Sequence, residues 1–228
     1  MINRMEGGGI TRSGLELSDI GDYKKTEDLF IIANASLFTI FLSIVAARLG
    51  NLGGVYLNTY FDVFGLEGVL SNIMLVVILV QVARFLYTSM YGSYGKEWSP
   101  FVFICIIMSV QLVHDLIFYF GMLNSLPDGK NDMLDIIKRY ARENSKNALG
   151  GHVLLLGLTA LVAMIMKNMS DLYLLFIPAL ILYLLPFVLS IVFKKPAPVV
   201  VQPPPKKEGM NKMNGMNEMN DYLNELNE

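Results

Sequence analysis

Five stretches of the chain are apolar runs: residues 29–48, 69–91, 100–123, 148–166 and 172–193. A hydrocarbon core about 30 Å thick needs about 20 apolar residues of helix, and each run is close to that length. Few ionisable groups interrupt them. Arg84 stands in the second run, His114 and Asp115 in the third, and His152 near the start of the fourth. Pro178 and Pro186 lie inside the fifth, where a bend is expected and neighbouring helices can satisfy the freed carbonyls.

The segments between the runs carry weaker patterns. "NLGGVYLNTYFDVFGLEG" (51–68) is too polar to cross and too apolar to float free, so it reads as an interfacial loop. Its Tyr56, Tyr60, Phe61 and Phe64 would sit at headgroup level. In "NDMLDIIKRYARENSKN" (131–147), Leu134, Ile137 and Ala141 recur at helical spacing, and Asn131 or Asp132 can cap the start. Lys138, Arg139, Arg142 and Lys146 fall mostly on the other face. That predicts an amphipathic helix on the membrane surface, its basic face toward anionic headgroups; a solvated loop helix is the alternative.

Both ends read as disordered tails. Residues 1–28 are mixed in charge and glycine-rich, with no signal-peptide core, and read as a mobile N-terminal tail. Residues 194–208 form a proline-rich spacer, and 209–228 a low-complexity tract with a Met-Asn beat. Within that tract Met216, Met219, Leu223 and Leu226 make one helical stripe that could dock in a partner's groove. The pattern as a whole predicts an all-α polytopic transmembrane bundle over 29–193. It has about five spans, one interfacial amphipathic helix and disordered tails.

Composition agrees. The chain is 54% hydrophobic and 17% charged, with mean hydropathy +0.47; a soluble domain carries about 25% charged residues. A net charge of −2 gives no pull toward nucleic acid. Cys105, the single cysteine, excludes an intrachain disulfide and reads as an inert buried thiol. With five spans, one side holds six basic residues and the other eleven, which predicts a cytosolic C-terminus. Lys24 and Lys25 pull the other way, and a re-entrant 29–48 would remove that conflict.

The intramembrane polar residues are the candidate site. Arg84, Gln111, His114, Asp115 and His152 serve either as hydrogen-bonding links between helices or as an ion or proton path. Helix packing is the reading preferred. Neighbouring side chains diverge by about 100° on a helix, so His114 and Asp115 are not expected to form one site. Arg84 lies about 12 Å from Asp115 along the bundle axis and is expected to snorkel or to meet Asn34 or Gln111. A metal would need three or four converging ligands, and no cofactor is expected. No nucleophile elbow, zinc-protease helix or phosphate loop is present, so the chain reads as non-enzymatic.

Residues 111–165, "QLVHDLIFYFGMLNSLPDGKNDMLDIIKRYARENSKNALGGHVLLLGLTALVAMI", resemble uncharacterised multi-pass membrane proteins of nucleocytoplasmic large DNA viruses. Those proteins pair a span like "VHDLLFY" with a short acidic-basic amphipathic segment and a further span. The resemblance implies a location, a virion inner membrane or a host endomembrane, and no catalytic residues. A structural or assembly role follows as the expectation, with a small ion or proton channel or transporter as the alternative. The expected partners are the lipid bilayer, a capsid or scaffold protein reached by the C-terminal tail, and a second copy of the chain.

Overall fold

The computed structural model describes residues 17–92, 95 and 97–191, with the side chains of Ser145 and Lys146 excepted. Five α-helices run in order: α1 Asp28–Gly50, α2 Gly54–Met90, α3 Pro100–Phe118, α4 Asp132–Met166 and α5 Asp171–Leu189. A π-helical turn, Tyr119–Leu123, extends α3. No strand occurs among the described residues. All five helices, α3 counted with its extension, are long and apolar enough to cross a membrane. The chain is a multi-pass, all-α membrane bundle.

Successive helices alternate in direction. One face of the bundle therefore gathers residues 17–27, the turn after α2 and the turn between α4 and α5. The opposite face gathers residues 51–53, the 124–131 turn and the end of α5. α4 is the hub, packing against α1, α2 and α3, while α5 lies mainly against α1. Small residues let the helices approach closely: Ala35, Ala83, Ala160 and Ala163 are buried at their crossings. Thr39 and Thr159 share a buried hydrogen bond of 2.7 Å between α1 and α4.

Two expectations need correction. The 51–68 interfacial loop is helical from Gly54, and Tyr60 and Phe61 are buried in the core rather than spread among headgroups. Aromatic and glycine content suggested a loop, but only Gly65 (φ 46, ψ −123) leaves helical geometry. Next, the amphipathic helix and the fourth span are one helix. Asn131 caps it, its side chain accepting from the Leu134 amide at 3.0 Å, and no proline interrupts the chain from there to Met166. The first run is as expected: a single helix of 23 residues, about 35 Å long, long and apolar enough to span without re-entering.

The N-terminal boundary also moves. Residues 17–27 lie against the bundle as a strap, with Ile20 fully buried. The Trp98 indole donates to the Leu17 carbonyl at 3.0 Å, and its ring meets Tyr87 and Phe103. Thr88 donates to the Gly21 carbonyl at 2.9 Å. Trp98 thus fastens the strap instead of marking a bare membrane boundary. Residues 1–16 and 194–228, including the spacer, the docking stripe and most of the predicted tails, lie outside the described residues.

Candidate functional site

α3 buries a narrow stripe of Phe103, Ile107 and Gln111, each four residues on from the last. Asp115 continues that spacing. α4 buries Leu156 and Ala160 at the same interval, and His152 stands one step before them. Because α3 and α4 run antiparallel and pack together, the two stripes bring Asp115 and His152 to one level. His152 Nδ1 lies 3.2 Å from Asp115 Oδ2. On the same helix Gln111 donates to Asp115 Oδ1 at 2.7 Å, and His114 Nδ1 lies 3.2 Å from that oxygen.

Four of the five predicted intramembrane residues therefore meet at one carboxylate. The expectation that His114 and Asp115 diverge too far is corrected: the His114 ring turns back along the helix and stacks on Phe118, centroids 5.9 Å apart. A carboxylate accepts only, so a neutral imidazole beside it presents Nδ1–H and leaves Nε2 as an acceptor. Asp115 fixes that tautomer in both rings. Among the described residues, no group of three or more His, Cys, Asp or Glu side chains is arranged to hold a metal ion. Asp115 commits one oxygen to each imidazole, and its bond to His152 ties α3 to α4.

Arg84 belongs elsewhere. It neither snorkels nor meets Asn34 or Gln111; it is fully buried, and the chain comes in to it. Its guanidinium donates to Gln81 Oε1 at 3.0 Å, to the Lys25 carbonyl at 2.8 Å, to the Asp22 carbonyl and to Asp28 Oδ2 at 3.2 Å. Lys167 ion-pairs with the other Asp28 oxygen at 2.6 Å and donates to the Asp19 carbonyl. Asn34 instead donates to the Leu174 carbonyl at 3.0 Å, linking α1 to α5. A second closed cluster stands at the opposite face. Arg48 donates to Asp62 at 2.7 Å, to Asn58 at 3.4 Å and to the Leu189 carbonyl at 3.3 Å, joining α1, α2 and the end of α5.

The predicted basic face is divided. Arg139 and Arg142 are exposed, but Lys138 is buried under the preceding turn. It donates to the Leu126 carbonyl and to Asp128 at 2.8 Å. The Lys138 hydrogen bond and charge, with a smaller part from Arg142, hold the Asp128 carboxyl below the usual carboxylate range. Nearby, burial, aided by Glu143 and Asp115, pushes the Tyr140 hydroxyl up. Four functional partners escaped the sequence reading: Asp28, Lys167, Arg48 and Asp62. Asp28, Arg48 and Lys167 sit at the edge of an apolar run, where a charge looks like an ordinary end of span, and Asp62 sits in the segment read as a loop. The one available signal was their placement within a turn or two of a helix end, at the level of an opposite charge.

Compared with protein-family models, with curated proteins and with solved structures, the chain matches none of them.

Proposed function

We propose that this multi-pass protein is a non-enzymatic structural or assembly component of a viral or host-derived membrane. The observation that carries the reading is how the bundle uses its charges. Arg84, Asp28 and Lys167 close on one another, as do Arg48 and Asp62, and Asp115 is held by Gln111 and two histidines. Buried ionic links of this kind contribute little net stability over apolar packing, but they specify one arrangement of helices. A rigid, uniquely packed insert suits a part that others assemble against. The viral setting rests on the resemblance of residues 111–165.

On this reading the face with the 124–131 turn is cytosolic, because the basic C-terminal residues 194–212 follow α5 there. Met216, Met219, Leu223 and Leu226 would then meet a capsid or scaffold protein. Cross-linking mass spectrometry on native membranes tests the role. Capsid or scaffold cross-links to the tail, lost in a Met219→Ser, Leu223→Ser double variant that still inserts, are the expected result; the same partners with that variant would reject tail docking. A proton path is the second reading, favoured by the two histidines on Asp115 at one depth. A pH-dependent conductance in liposomes, lost in Asp115→Asn, would promote it.

A further inference from the structure

An apolar groove of about 660 Å³ opens between α2 and α3. Leu79, Leu86, Phe101, Ile106 and Val113 form much of its wall, and His114 lines it toward the Ile117 end. Ser109 and Cys105 also line it, but the Ser109 hydroxyl is committed to the Cys105 carbonyl at 2.8 Å. Both walls belong to membrane-length helices, so the medium against them is lipid rather than water. The doubly walled part, Leu79–Met90 against Phe101–Val113, is about 17 Å long. His114 is held at its Nδ1 by Asp115 and at its face by Phe118. Its Nε2 has no hydrogen-bond partner among the described residues.

We propose that this groove binds a sterol-like lipid, a rigid apolar body with one hydroxyl that donates to His114 Nε2. Three observations choose this occupant. An apolar cleft with one fixed polar group at its end orients a ligand of that same pattern. Asp115, next to His114, repels a phosphate or carboxylate head, whereas a neutral hydroxyl is compatible with it. A rigid ring system also fills a straight groove without the ordering cost of a flexible acyl chain. His114 lies about 13 Å inside the Leu123 end of its helix, within the membrane-length part of α3. Asp115 is a positioning residue here, since it sets the tautomer of His114 and does not line the groove.

The test uses the full chain in phosphatidylcholine vesicles with a photoactivatable sterol that retains its hydroxyl. Saturable labelling between Phe101 and Ile117, displaced by unlabelled sterol, is expected. A 3-keto analogue of the probe cannot donate and should label about fivefold less, the worth of one hydrogen bond. His114→Phe should do the same, and in that variant the two probes should become equal. Val82→Trp, at the rim of the groove, should abolish labelling with Trp98-region packing retained. If His114→Phe does not fold, the two probes on the parent protein still decide. Equal labelling by both probes, labelling spread evenly onto Tyr183 and Phe187 of α5, or α3 cross-linked to a second copy would each overturn the proposal.

Discussion

The Arg84 and Asp115 clusters both place ionisable groups at membrane depth, yet they are built in opposite ways. Arg84 and Asp28 have side chains with no exposure at all. Backbone carbonyls of the strap, the Gln81 amide oxygen and the Asp28 carboxylate accept from the guanidinium, and Lys167 shares that carboxylate. The Asp115 cluster has its carboxylate 15% exposed and its His152 ring 47% exposed. One cluster is sealed by chain that folds over it. The other is left open on the side away from α4's core stripe. A sealed cluster can only hold, whereas an open one can exchange a proton or meet a ligand.

The sharpest way to break this contrast is Asp28→Leu. It leaves Arg84 and Lys167 facing each other without a counter-charge, and a broken buried pair costs about 3–5 kcal/mol. Equilibrium unfolding in mixed micelles should show that loss, with Trp98 as reporter; a change under about 1 kcal/mol would mean that water reaches the cluster. Gly21→Val attacks the seal itself. An added Cβ would stand 2.7 Å from ring atoms of both Trp98 and Tyr87. Overpacking of that kind costs about 1–3 kcal/mol, and a lifted strap should shift Trp98 emission to the red.

At the open cluster smaller effects are expected. Asp115→Leu strands Gln111 and two imidazole N–H groups, but partial exposure softens the penalty to about 1–3 kcal/mol. Asp115→Asn, which keeps an acceptor, should lose clearly less in the same unfolding measurement. Equal losses for Leu and Asn would show that charge, not hydrogen bonding, matters there. The weakest effect belongs to Asp128, whose side chain is 64% exposed. Its carboxyl is held down in the folded state. Its contribution is therefore complete above the ordinary carboxylate pKa of about 3.9 and fades as pH falls through the lower folded value. Carboxyl carbon NMR titration should find that midpoint below the ordinary one, and Lys138→Met should raise it.

How much of this was readable beforehand differs between the same two regions. Asp115, Gln111 and Phe103 share a face by spacing alone, and the five spans follow from apolar length, so the α3 side of the open cluster is legible in the sequence. His152 is placed inside the fourth run by the sequence, but only the packing of α4 against α3, which no local spacing announces, brings it to Asp115. The sealed cluster is harder to see. Arg84, Asp28 and Lys167 come from three distant segments, and no local pattern pairs them. What brings them together is the strap, whose mixed charge and glycines look like free tail until Ile20 and Trp98 are seen to anchor it. The 54–64 helix is hidden for a related reason: its burial depends on partners far along the chain, and its composition is that of an interfacial loop.

Gly65 carries a consequence for where such a protein can reside. α2 has 37 residues, about 55 Å if straight, against a hydrocarbon core of about 30 Å. A straight helix of that length would have to tilt steeply or leave apolar turns in water. The break at Gly65 separates a stretch of 25 residues, 66–90, from the shorter 54–64 piece that is anchored through Asn58 and Asp62 to Arg48. Because a side chain disfavours that positive φ, the bend is fixed in place by the residue type rather than by packing, and nothing crowds the site. The Tyr60 hydroxyl donates to the Gly68 carbonyl across the break and holds the two pieces at one angle. A 37-residue helix is thereby divided into a membrane-length segment and a short piece tied to α1, which fits a core of about 30 Å without a steep tilt of the whole.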